Sequence, residues 1–351
     1  MMEVDLPDSQ LSLERATCSG WAGRLVSNGP RKAFSLLEIL VAIAILSMLL
    51  ILLSSLASLT SNTYTRTIGK LQSFEAARAA FDMVTRTLSK ATLLSQLGYN
   101  NPTSPTGFEL RSDLHYISGS QTDLGIAKTG TALSHGVFFQ APLGLATTAD
   151  LQNASALLSA VGYFIAYGDS PDRPAILATL TPSRYRFRLF QFLQPREEMS
   201  VYARTIDSSG IPTANTSFKT TEWFSGDVGS MKNCRVVAEN VIALVLLPLP
   251  PSGTAPITYL WNSRDQTTPD TTHRLPSVMR VLMVAIDEKS AASLGNTATP
   301  PTLIPTTLFQ DPAKFADDRV ELENHLGQFT PKLNYEVFTT EVAVSSGNTK
   351  L

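Results

Sequence analysis

Arg31-Lys32-Ala33-Phe34-Ser35-Leu36-Leu37-Glu38-Ile39-Leu40-Val41-Ala42-Ile43-Ala44-Ile45-Leu46 sets a single acid inside a long apolar run that follows directly on a basic pair. From Phe34 to Leu59 the chain is almost wholly Leu, Ile, Ala, Val, Met and Ser, with neither Gly nor Pro. About 20 apolar residues suffice to cross a hydrocarbon core as a helix, so residues 34–59 read as a transmembrane helix. Arg24, Arg31 and Lys32 lie just before the run, whereas Arg66 and Lys70 follow it only at a distance. That bias keeps the N-terminal flank in the cytoplasm and predicts that the C-terminal part is exported.

Glu38 is the anomaly. A carboxylate in mid-span costs about 2.5 to 3.5 kcal/mol on insertion scales and calls for a partner or a function. No cation sits one helical turn away inside the run. A cut between Ala33 and Phe34 would supply one, because the new α-amino group would lie four residues from Glu38 on the same helix face. The amine could be the chain's own or a neighbour's. A secretory signal peptide would have a short apolar core and a small-x-small cleavage site, whereas this core is long and runs into a charged helix. A permanent uncleaved anchor leaves Glu38 unexplained.

The segment "AFSLLEILVAIAIL" resembles the N-terminal cleavage and methylation segment of type IV prepilins and type II secretion pseudopilins. It shares a basic leader end, a small residue, Phe, and Glu at the fifth position after it. The resemblance implies that residues 1–33 are a leader removed by prepilin peptidase, with Ala33 the last leader residue, where the family usually has Gly. It implies that Phe34 becomes the N-methylated first residue, and that Glu38 sets subunit register during assembly.

Further along, "VIALVLLPL", "YLWNSRD" and "RLPSVMRVLMVAIDEKSAASL" resemble the C-terminal half of the minor pseudopilin GspJ. Val284 to Glu288 resembles the "Verru_Chthon cassette protein C" group of prepilin-type proteins. These resemblances imply a filament subunit held in the inner membrane, with a periplasmic head and other pseudopilins or minor pilins as partners, placed at the tip of the filament.

The chain has 351 residues, 43% of them hydrophobic, and a net charge of -2. It can bury a large core and shows no basic excess suited to nucleic acid. Of its two cysteines, Cys18 would leave with the leader, so Cys234 would remain alone and no internal disulfide could form. Packing must then hold the head together.

After the membrane segment, Phe74, Phe81 and Leu88 recur every seven residues, with Ala77, Val84 and Ala91 three places later. This stripe predicts a helical extension over 60–98, whose apolar face packs on the chain's own head. Gly98, Asn100, Asn101 and Pro102 supply the expected stop. Residues 99–351 read as a β-rich globular head. Strands are expected at Val137 to Phe139, Tyr163 to Tyr167, Val241 to Leu247, Val278 to Ile286 and Tyr335 to Val344, with helices at Asp150 to Ala160 and Pro312 to Leu326. Tyr185, Phe187 and Leu189 alternate with Arg184, Arg186 and Arg188, which predicts a strand wet on one side. Val281 to Ile286 is apolar on both faces and should lie centrally in its sheet. The expected class is α+β and pilin-like: a long N-terminal helix packed on a C-terminal antiparallel sheet.

Little here suggests chemistry. His115, His135, His273 and His325 stand far apart without metal-ligand spacing. Gly168-Asp169-Ser170 echoes a hydrolase motif but reads as a turn. Asp311, Asp317, Asp318, Glu321 and Glu323 lack the spacing of an EF-hand and read as a solvated helix face. The expectation is a mechanical subunit with no catalytic residue, cofactor, metal or small-molecule substrate. The rival reading, an exported enzyme or ligand-binding domain on an anchor, requires a deep pocket with convergent polar groups.

Overall fold

The computed structural model describes residues 35–99, 104, 106–126, 134–151, 154, 156–170, 176, 180, 182–202, 204–206, 212–214, 221–250, 257–265 and 267–344. The expected leader and its junction at Ala33 and Phe34 lie outside these residues. The chain divides into two compact units, 1–62 and 63–351.

Helix α1 runs from Leu36 to Leu88. Its first 26 residues, Leu36–Ser61, are long and apolar enough to cross a membrane, and their side chains are exposed. Ser35 opens the helix by accepting the Leu37 amide on its hydroxyl at 3.2 Å. The hydroxyls of Ser47 and Ser55 donate to the carbonyls of Ala44 and Leu52 at 2.9 and 2.8 Å, so these polar groups are satisfied within the helix.

The helix ends at Leu88, short of the predicted 98, and Gln96–Tyr99 is a strand. Tertiary pairing overrides the helical pattern here: Thr92 forms a β-bridge with Gln140, and Leu94 turns to a left-handed φ of 45°. Gly98 lies within β1 (Gln96–Tyr99) rather than at a helix stop, and Asn100, Asn101 and Pro102 lie outside the described residues. β1 pairs antiparallel with β2 (Phe108–Arg111) as a hairpin.

The core of the second unit lies between two antiparallel sheets, which makes the class α+β. The larger sheet is built from β3 (Ile117–Ser120), β4 (His135–Pro142), β5 (Leu158–Gly168) and β6 (Arg186–Gln194). A separate small pair is formed by β7 (Arg204–Ile206) and β8 (Pro212–Ala214). Helix α2 (Glu222–Ser230) then leads to β9 (Cys234–Glu239), β10 (Val241–Leu249) and β11 (Trp261–Asn262). Strand β12 (Val278–Ile286) is followed by α3 (Glu288–Ser293), α4 (Phe315–Gln328) and β13 (Tyr335–Ala343). The six-stranded sheet has the order β11-β3-β4-β5-β6-β9, and the three-stranded sheet the order β10-β12-β13. β10 packs over β4, β5 and β6. β12 is the middle strand, and Val281 to Ile286 are buried throughout.

Two further expectations fail. Among the described residues of 150–160 there is no α-helix: a single 3-10 turn lies at Ala149–Leu151, and Leu158 to Ala160 already belong to β5, with Ala160 paired to Gln140 of β4. β6 is not wet on its arginine side either. Arg188 is 1% exposed and Arg186 8%, because carboxylates and backbone carbonyls meet their guanidinium groups inside the fold. Two helices, α2 and the short α3, are absent from the sequence reading altogether. α2 sets Trp223 and Phe224 against the large sheet, with the Phe224 ring stacked on Phe138 at 3.8 Å between centroids. This packing requires Gly162, since a Cβ there would stand 2.2 Å from the Phe138 ring.

Candidate functional site

Glu38 stands in the first turn of α1, its amide donating to the Ser35 carbonyl at 2.9 Å. It is exposed, as are Ile39, Ala42, Ile43 and Leu46 around it. No cation is recorded near it among the described residues. Its position in the first turn of the helix suits an acid on helix-dipole grounds. Phe34 and Ala33, the expected processing junction, lie outside the described residues.

The heptad residues fall as follows. Ala77, Phe81, Val84 and Leu88 are buried, and Phe74 is partly buried against the same core. The Phe81 ring lies 5.6 Å from that of Phe338 on β13, between centroids. One turn and a half on, Thr87 accepts a hydrogen bond from the Tyr163 hydroxyl of β5 at 3.1 Å, and Gln191 of β6 donates to the same Tyr oxygen at 2.7 Å. The end of α1 is thereby fixed to the head by both apolar and polar contacts. Val84 and Leu88 have no exposed surface, so their whole side-chain transfer from water contributes, about 1.5 to 3 kcal/mol each.

Two polar networks brace the head, and neither was legible from local sequence. In the first, the Trp223 indole N–H donates to His115 Nδ1 at 3.0 Å, and His115 Nε2 lies 2.8 Å from Asn262 Oδ1. The indole can only donate, so Nδ1 accepts and Nε2 carries the proton toward Asn262. Burial, reinforced by the Arg264 charge, lowers the His115 pKa to about 3. His135 is likewise held neutral: it accepts the Leu246 amide on Nδ1 at 3.0 Å, and burial lowers its pKa to about 4. That bond caps the free side of β10.

In the second network, Arg188 reaches Glu239 at 3.0 Å, the Gly168 and Asp169 carbonyls at 2.8 and 3.1 Å, Ser170 Oγ at 3.1 Å and the Arg184 carbonyl at 3.2 Å. Arg184 and Arg186 bind Glu288 at 2.8 and 3.2 Å. The Gly168-Asp169-Ser170 stretch is part of this clamp. Asp169 accepts from the Ser170 and Arg184 amides at 2.8 and 2.7 Å, and Ser170 is bound by Arg188.

A cavity of 370 Å³ opens between Ser120, Asp123, His135, Tyr259, Phe309 and Gln310. The Asp123 carboxylate accepts from the Ser120 hydroxyl at 2.6 Å. The Leu246 amide occupies His135 Nδ1, so the other ring nitrogen carries the proton and the imidazole offers the cavity no acceptor. Asp311 caps the Pro312–Lys314 turn by accepting the Ala313 amide at 3.0 Å, and Asp318 of α4 accepts the Phe309 amide at 2.7 Å. Among the described residues, no cluster of three His, Cys, Asp or Glu could hold a metal ion.

Residues 29–54 match the family profile of the prokaryotic N-terminal methylation motif. Among curated proteins, none matches this sequence. Of solved structures, the chain is similar to a type IV-like pilin from Thermus thermophilus, with 10% identity over 77% of this chain and 95% of that one, at a TM-score of 0.33. It is also similar to a chain of the GspK-GspI-GspJ complex of the enterotoxigenic Escherichia coli type 2 secretion system. There the identity is 11% over 66% of this chain and 99% of that one, at a TM-score of 0.28.

Proposed function

We propose that this chain is a minor pilin or pseudopilin subunit, cut by prepilin peptidase between Ala33 and Phe34, methylated at Phe34, and assembled into a type II secretion pseudopilus or type IV pilus-like filament, at its tip. The observation that carries the reading is the N-terminal methylation motif over residues 29–54, which leads into an apolar stretch, Leu36–Ser61, with Glu38 as its one acid. Cleavage supplies a counter-charge for that acid. In a low-dielectric bundle of such helices a missed pairing costs most, so the pairing of Glu38 with a neighbour's free amine fixes the register of one subunit on the next. The head, tied to the helix through Phe81, Val84 and Leu88, gives partner specificity among the other pseudopilins. The N-terminal flank stays in the cytoplasm and the head lies in the periplasm.

Two measurements test this. Mass spectrometry of the membrane-extracted protein should find N-methyl-Phe34 as the first residue; recovery of the chain with its first 33 residues attached would refute the processing. Glu38→Ala should abolish co-purification with partner subunits while leaving the head folded. Unchanged co-purification would remove the register role from that acid.

A further inference from the structure

Beside the two buried histidines stands a third, His273, half-buried and in an unusual place. It is a non-glycine residue at φ 56°, in a loop whose backbone is anchored by the His273 amide donating to the Ser263 carbonyl at 2.7 Å. Both legs of the β1–β2 hairpin are tied to this one residue. On the entering leg, the Ser95 hydroxyl donates to the His273 carbonyl at 2.9 Å. On the returning leg, the buried Ser112 amide donates to His273 Nδ1 at 3.2 Å, and the Ser112 hydroxyl bonds the Leu93 carbonyl, closing the two legs on each other. What they hold is poorly covered by the rest of the head. Leu97, Tyr99 and Phe108 are exposed, with the two rings stacked at 5.1 Å between centroids. A two-stranded hairpin with little packing on either face is marginal in water, so its position depends on these few bonds at its base.

We propose that His273 is a proton-sensitive clip on this hairpin: neutral, it locks both legs to the head, and protonated, it releases the returning leg. The argument is one of donors and acceptors. An amide N–H can only donate, so Nδ1 must be the unprotonated nitrogen of the ring for the Ser112 bond to exist. Protonation turns Nδ1 into a donor facing a donor and leaves a buried amide without its acceptor, at the full desolvation cost of that group. The charged groups around the ring pull in both directions. Glu109 of β2 and Asp113 favour the cation, while burial, Arg264 and Arg111 disfavour it; burial is the largest influence and the net direction is downward from the ordinary histidine value. The sign follows: the clip is fully closed above the ordinary histidine range and opens as the pH falls through the lowered value. Acidification would therefore loosen the hairpin that carries the exposed Leu97, Tyr99 and Phe108 before the sheets open. This inference does not depend on the filament reading.

The test is amide exchange on the full-length protein in detergent micelles, with rates corrected for the intrinsic effect of pH. The protection of residues 93–112 is compared with that of β12 across the mildly acidic range. Protection of the hairpin should fall with pH, by up to about tenfold per pH unit, the limit for one linked proton. The ratio to β12 separates this from any global loss. His273→Asn keeps an acceptor near the position of Nδ1, tolerates a left-handed φ, and cannot titrate. It should make hairpin protection independent of pH. Flat protection in the native sequence, or the same pH dependence in His273→Asn, would overturn the proposal. A direct titration of the His273 ring by its C2-proton exchange provides a check free of any mutation; a value at or above that of an exposed histidine would also overturn it.

Discussion

Ile39 to Leu46 and Val241 to Leu249 use nearly the same few residues, yet the first stretch is exposed from end to end and the second is almost wholly buried. The difference lies in where the backbone bonds go. In α1 every turn satisfies its own amides and carbonyls, so the segment can stand with nothing but lipid around it. β10 cannot: its amides and carbonyls need β12 on one side, and His135 supplies an acceptor for Leu246 on the other. Pro248 fits there because β10 is an edge strand, where a missing N–H costs no ladder bond. Apolar composition therefore states only that a segment must leave water. Length, backbone pairing and the placement of single polar residues decide what it enters.

Acid should separate the two regions most widely. His115 and His135 are both held neutral by burial, at about 3 and about 4. In the unfolded chain each would take a proton near the ordinary histidine value. Their contribution is thus fully present above that value and is lost as pH falls toward the lowered ones. Each should remove about 1.4 kcal/mol of head stability per pH unit in that window, with no counterpart in residues 36–61. Denaturation followed by the fluorescence of the buried Trp223 and Trp261 reads the effect, and a pH-independent midpoint would contradict it.

Arg188→Ala comes next. It takes one of two guanidinium partners from Glu239, which keeps Arg184, and leaves the carbonyls and the hydroxyl that converge on Arg188 without their donor, so the head should lose about 3 to 5 kcal/mol, the sum of several such losses. A loss below about 1 kcal/mol, as for an exposed pair, would mean that β6 is as wet on that side as its alternating sequence suggests.

That arginine also marks the boundary of what could be read without coordinates. The long apolar helix, the acid within it, the buried stripe and the central position of β12 were legible, because each is written in contiguous periodicity or in one residue that breaks it. The polarity of β6 was not. Alternation distinguishes two faces but cannot say that Glu239 and Glu288, 51 and 102 residues from Arg188 and Arg186, will meet the charged one. The end of α1 was misplaced for the same reason, since the bridge from Thr92 to Gln140 is a tertiary fact. α2 was missed because its nine residues carry two glycines and a serine pair, a poor helix signal rescued by Trp223 and Phe224 packing on the sheet. At the N-terminus, the match to the methylation motif rests on 26 contiguous residues that are readable as they stand.

Within the packed part of α1, Leu88→Ala should cost about 2 to 5 kcal/mol, since the site has no exposed surface and the helix end is pinned on both sides. Gly162→Ala should cost about 1 to 3 kcal/mol, because the added methyl can be accommodated only by pushing Phe138 off its stack with Phe224. Chemical denaturation measures both, and the order of the two values tests whether the helix end or the aromatic cluster packs more tightly.

The smallest expected effect is the most discriminating. Leu46→Ala makes the same chemical change as Leu88→Ala in the same helix, 42 residues earlier, at a side chain that is 56% exposed. Ala is also the better helix former, by a few tenths of a kcal/mol. Head unfolding in detergent should therefore be unchanged within about 0.5 kcal/mol, the range of surface substitutions. If the variant instead destabilised the head as much as Leu88→Ala does, residues 36–61 would have to be buried against protein in the folded monomer, and the anchor would be a core helix. A null result, combined with weaker membrane retention, leaves lipid or a neighbouring helix as what covers this face.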